Sequence, residues 1–159
     1  MNSDHPTQTA LLEWQRRLHS IEGSANAPVC MPRLLNALRV FLVEDSVLIR
    51  ERLGEDIASA GRIEVVGYAE TEAAAVAALQ AHPCDVIILD LDLKQGNGFE
   101  VLKSVRADHT GPRPLVIVFT NYVYPHYRSQ SVRLGADYFF DKARDFDRVR
   151  EVIEDLARV

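Results

Sequence analysis

Three short runs of branched and aromatic apolar residues constrain this chain most: LRVFLV (38–43), VIILDL (86–91) and LVIVFT (115–120). Each is too short for a buried helix and lacks polar alternation, so each reads as a strand covered on both faces. Strands of that kind belong to parallel sheets held between two helix layers. The intervening segments supply the helices. Ser46 caps a helical stretch carrying Val47, Ile49, Leu53 and Ile57. Thr71 caps an alanine-rich helix over 71–80, and 98–105 is helical. Pro125 suits the first turn of a helix over 125–134, and a closing helix runs over 146–157. Two further strands are expected at 63–69 and 136–140, and the strand that holds VIILDL is expected over 85–91. The sequence therefore predicts five strands alternating with five helices.

This alternating region spans 38–159, and residues 1–37 precede it. Within the first region Leu11, Trp14, Leu18 and Ile21 recur at steps of three and four, which places them on one face of a short amphipathic helix. Such a helix is marginal alone in water. The sequence leaves open whether it docks on the main domain, docks on a second copy, or has no seat. The stretch 23–32, with Gly23, Ser24, Asn26, Pro28 and Pro32, reads as a linker.

Charge and composition exclude several classes. The net charge is −5, which gives no basic footprint for direct nucleic-acid contact and no attraction to an anionic membrane. No apolar run reaches the roughly 18 residues needed to span a bilayer. The start, MNSDHPTQTA, has no secretory pattern, so a cytoplasmic location is expected. Cys30 and Cys84 lie far apart and outside any metal-binding spacing, as expected of reduced thiols.

In open parallel sheets, ligands bind beyond the carboxyl ends of the strands. The first strand ends in Glu44 and Asp45, the third near Asp90 with Asp92 beyond it. The fourth ends in Thr120, and the fifth just before Lys142. Clustered carboxylates resist ionisation unless a cation compensates. Mg²⁺ suits the role, because it prefers hard oxygen ligands. A carboxylate in such a pocket can act as the nucleophile of phosphoryl transfer, with Lys142 neutralising charge and the Thr120 hydroxyl donating to a phosphoryl oxygen.

These residues resemble the receiver domains of two-component response regulators, over about 38–159. Glu44 and Asp45 in FLVEDS look like that family's acidic pair, and Asp90 in VIILDLDLKQGNGFEVL looks like its phosphoacceptor. Gly98 follows eight residues later, Thr120 thirty after Asp90, and Lys142 twenty-two after that. The resemblance implies a flavodoxin-like doubly wound sheet of order 2-1-3-4-5. It makes Glu44, Asp45, Asp90 and the Asp92 backbone carbonyl the Mg²⁺ ligands, and Thr120 with Phe139 the switch pair. Asp92 and Tyr122 lie where receivers tune the lifetime of the phosphoryl group. Three departures stand out. Lys94 and Ala143 occupy positions where the family favours proline, and Asn121 is larger than the usual residue after the threonine. Without proline a cis Lys142–Ala143 peptide would cost about 2.5–4 kcal/mol, and the sequence leaves its isomer open.

By the same resemblance the phosphodonor is a histidine kinase or histidine phosphotransfer protein. No effector domain is expected beyond the last helix, so the resemblance implies a stand-alone receiver that signals by contact with a downstream protein. Its output face would combine the fourth helix, fifth strand and fifth helix. Tyr124, Tyr127, Tyr138 and Phe139 are candidates there, while Phe140 is expected in the core. Homodimerisation is the runner-up for output. Two rivals remain: a binding module that takes no phosphate, and a haloacid-dehalogenase-like phosphatase suggested by Asp90-Leu-Asp92, Thr120 and Lys142. Lys94, the early acidic pair and the lack of a cap domain argue against the phosphatase.

Overall fold

A computed structural model describes residues 37–108 and 110–158. The expected N-terminal helix, the linker and Cys30 lie outside these residues. The elements run β1 (Leu38–Val43), α1 (Val47–Ala58), β2 (Ile63–Ala69), α2 (Glu72–Ala81), β3 (Val86–Leu89), α3 (Gly98–Ala107), β4 (Leu115–Thr120), α4 (Pro125–Arg133), β5 (Tyr138–Asp141) and α5 (Phe146–Ala157). All strand pairs are parallel, in the order β2-β1-β3-β4-β5. The expected alternation and sheet order are therefore observed. Element ends shift by a residue or two, most at β3, which begins at Val86, and at β5, which begins at Tyr138.

Local chemistry starts the helices where expected. The Ser46 and Thr71 side chains accept hydrogen bonds from the Ile49 and Ala74 backbone N–H groups. Asn97, a cap not anticipated, does the same for Glu100 at the start of α3. Pro125 occupies the first turn of α4, where its missing N–H costs nothing.

Strand alternation divides the core between two layers. Val40, Leu42, Val86, Ile88, Ile117, Phe119 and Phe140 face one side, where Leu53 and Ile57 of α1 and Phe146, Val149 and Ile153 of α5 cover them. Phe41, Val43, Ile87, Leu89, Val116, Val118 and Phe139 face the other, against Ala75 of α2 and Val101 and Leu102 of α3. Phe119 and Phe146 meet edge-on with centroids 4.8 Å apart, a favoured aromatic geometry. The edge strand β2 departs from burial on both faces. Its register against β1 shifts after Val40, which leaves Val66 outside the pairing and 36 % exposed.

Candidate functional site

The chain passes from β1 outward to β2 and then returns to β3 on the opposite side of β1. This reversal opens a crevice at the carboxyl ends of β1 and β3, where open α/β sheets place ligands. Glu44 and Asp45 follow β1, Asp90 follows β3, Thr120 ends β4 and Lys142 follows β5. Carboxylate oxygens of Glu44, Asp45 and Asp90 all lie within 4.8 Å of one another. The Lys142 ammonium is 2.5 Å from Glu44 Oε2 and 2.6 Å from Asp90 Oδ2. Residues 44, 90, 120 and 142 are buried, and Asp45 is half-buried.

The fold therefore encloses two carboxylates on a single ammonium, with a third acid beside them. Burial pushes Glu44 up to about 7 despite the opposing pull of Lys142. Burial also raises Asp90, against Lys142, the Asp92 backbone N–H and Thr120, all of which favour its charged form. For Lys142, burial alone would lower the pKa. Asp90 and Glu44 outweigh it, and the ammonium titrates above its usual range. These acids thus lack positive charge, as expected of oxygen ligands arranged for a hard cation. The donor set of Glu44, Asp45 and Asp90 fits Mg²⁺.

The loop after β3 is pressed onto the site. Gly98 donates its N–H to Leu91 O, and a Cβ on it would lie 2.2 Å from the Asp90 carbonyl oxygen. Any side chain there would push the Asp90 backbone aside. The Asp92 N–H donates to Asp90 Oδ1 at 3.2 Å, while its carboxylate lies at the exposed rim. The Tyr122 hydroxyl lies 3.4 Å from Asp92 Oδ2, and the Tyr122 N–H donates to Thr120 Oγ1 at 3.2 Å. Asn121 is exposed beside them.

Both proline departures have a use here. No peptide is cis among the described residues, so the Lys142–Ala143 bond is trans. The Ala143 N–H, which proline would lack, donates to Asp141 Oδ1, and Asp145 Oδ2 accepts from the Asp141 N–H. This carboxylate-bound turn presents Lys142 to the pocket. Similarly, the Lys94 N–H donates to Glu70 O and its ammonium lies 3.7 Å from Glu70 Oε2.

Phe139 is 7 % exposed, already turned into the core, with the Arg128 guanidinium 4.6 Å from its ring centroid. Of the four output-face candidates it is the one withdrawn into the core. Tyr124 and Tyr138 are exposed and Tyr127 half-buried, while Phe140 packs in the core as expected.

Arg50 was missed by sequence reasoning. It is 3 % exposed, and its guanidinium donates to Glu44 O at 2.8 Å and to Glu70 Oε1 at 3.0 Å, 4.2 Å from the Tyr68 ring centroid. Its signal was its position. Arg50, Leu53, Gly54 and Ile57 share the inward face of α1, where a cation requires a partner.

Comparisons with known proteins converge on one family. The response regulator receiver domain pattern matches residues 40–154. The chain is 40 % identical over 80 residues to a protein-glutamate methylesterase/protein-glutamine glutaminase of Anaeromyxobacter dehalogenans, a match covering 50 % of this chain and 22 % of that protein. The signal receiver domain of the response regulator NarL from Mycobacterium tuberculosis superposes with a TM-score of 0.69 at 27 % identity, covering 78 % of this chain and 98 % of that one. The response regulator domain of Thermotoga maritima CheB gives 0.66 at 26 % identity, covering 77 % and 94 %. Matches to curated relatives span only 21 % to 49 % of those proteins' lengths.

Proposed function

The chain belongs to the response regulator receiver family, and from that premise we propose that Asp90 is its phosphoacceptor. The unit is residues 38–159, with 1–37 as an extension. In the reaction an Asp90 carboxylate oxygen attacks the phosphorus of a phosphohistidine on a kinase or phosphotransfer protein. A P–O bond forms, the P–N bond breaks, and the electron pair leaves on the imidazole, which takes a proton from solvent. Glu44, Asp45 and Asp90, with the Asp92 carbonyl, would hold Mg²⁺. When bound, that ion supplies neutralising charge to the acids and the phosphoryl oxygens.

The observation that carries this reading is the buried Lys142 ammonium shared by Glu44 and Asp90, with Asp45 in the same cluster. Lys142 is positioned to leave the Glu44 carboxylate and follow the charge of a phosphoryl group on Asp90. Thr120 Oγ1 now accepts from the Tyr122 N–H, and the same hydroxyl can turn to donate to a phosphoryl oxygen. That turn would move the β4–α4 loop, and with it the exposed Tyr122 and Tyr124. Phe139 would report the two states by its packing beneath Arg128. Output passes by protein contact at the face formed by α4, β5 and α5, to a downstream protein or a second copy. No helix among the described residues is long and apolar enough to cross a membrane.

Phosphate-affinity electrophoresis after acetyl phosphate treatment with Mg²⁺ tests the assignment. About one phosphoryl group per wild-type chain is expected and none on Asp90→Asn. Labelling of the asparagine variant would remove Asp90 from the role. Thr120→Ala should still be labelled but lose most of the phosphorylation-dependent change in partner binding.

A further inference from the structure

The edge of the sheet opposite the acidic pocket carries a groove of about 410 Å³. Its floor is Ile87 and Cys84, and its walls are Val76 and Leu79 of α2 and Val105 of α3. Ile87 is wholly buried and the walls are half-buried. Arg39 of β1 also lines it. Its guanidinium is held by Asp85 at 2.8 Å, and the exposed Gln80, Asp108 and Thr110 with the half-buried Ser104 add polar groups around the apolar floor.

The chain enters the sheet at this edge. The Leu38 N–H donates to Arg62 O, and Arg39 is the next residue. Residues 11–21, upstream, lie outside the described residues. Their sequence sets Leu11, Trp14, Leu18 and Ile21 at helical spacing, a stripe that needs apolar cover. An amphipathic segment laid into an apolar groove is a standard recognition mode. The 15 residues from 22 to 36 can span up to roughly 50 Å, so the tether reaches any part of this edge. Tethering also decides between copies. A tether of this length gives an effective concentration of about a millimolar, well above that of a second chain in dilute solution.

We propose that this groove seats the chain's own segment 11–21, with Trp14 inserted between α2 and α3. The indole supplies the large, rigid apolar surface that a pocket of this size accepts. The docked segment then covers the Cys84 thiol, which burial already pushes up to about 11.

Two measurements on the full chain test this. Trp14 is the only tryptophan, so acrylamide quenching reads its shielding directly. Shielding is expected at concentrations where sedimentation shows a monomer. Free quenching, or shielding only where a dimer forms, would overturn the proposal. The second measurement locates the seat. In a Cys30→Ser background, Trp14→Asp should raise the rate of Cys84 alkylation by about tenfold, as loss of a local cover does. An unchanged rate would put Trp14 elsewhere and also overturn it. Trp14→Asp lies outside the receiver core, so its melting temperature provides the control for folding.

Discussion

The two edges of one sheet handle charge in opposite ways. At the amino edge, the Arg39 and Asp85 ion pair is partly solvated, and Asp85 Oδ2 also accepts from the Arg39 backbone N–H. Each charge there has a partner and is partly exposed. At the carboxyl edge, Glu44 and Asp90 are buried on the single Lys142 ammonium. The first arrangement serves the fold. The second leaves carboxylates raised toward neutrality, which costs stability and, on the proposed reading, would be relieved by a cation. The difference shows where a receiver concentrates its electrostatic strain.

Removing the cation from the strained edge should have the largest effect. Lys142→Met leaves two buried carboxylates without their ammonium and should destabilise the metal-free protein by about 3–5 kcal/mol at pH 8, read by urea unfolding. Mg²⁺ should recover part of that loss. A loss below that of an ordinary surface substitution would mean that the pocket is better hydrated than its burial implies.

A pH series probes the same edge more gently. Glu44 titrates near 7 in the folded chain against about 4.5 ordinarily. The folded state therefore holds a proton that the unfolded state has released. Stability from this group is complete below about pH 4.5 and is lost as pH rises toward and through 7, by up to about 3 kcal/mol. Asp90, also raised, acts in the same direction. Saturating Mg²⁺ should flatten the slope, and Glu44→Gln should remove most of it. An equal slope in that variant would assign it to another group.

At the solvated edge, Arg39→Met should cost only about 0.5–1 kcal/mol, and less in high salt. A cost near that of Lys142→Met would erase the contrast between the two edges.

Much of this was legible in the sequence because two signals are local. The apolar runs at β1, β3 and β4 identify buried parallel strands, and Ser46, Thr71 and Pro125 mark helix starts. Polar residues just beyond four strand ends then name Glu44, Asp45, Asp90, Thr120 and Lys142, because parallel topology carries every strand end to one rim. Arg50 was harder to see, since its partners Tyr68, on β2, and Glu70, just past its end, are about twenty residues away in the chain. Likewise, nothing near Ala143 in sequence announces that its N–H is used by Asp141.

Periodicity and strand order act along the chain, so the alternation, the parallel sheet and the chemical groups at the rim can be read from the residues alone. Tertiary structure alone decided how those groups share charge. One ammonium serves two acids, Phe139 faces inward, Arg50 braces Glu44 from behind, and Gly98 presses on Asp90. Each depends on distances of a few ångströms between segments far apart in the chain. Electrostatics and packing are set by such distances, which no local pattern encodes.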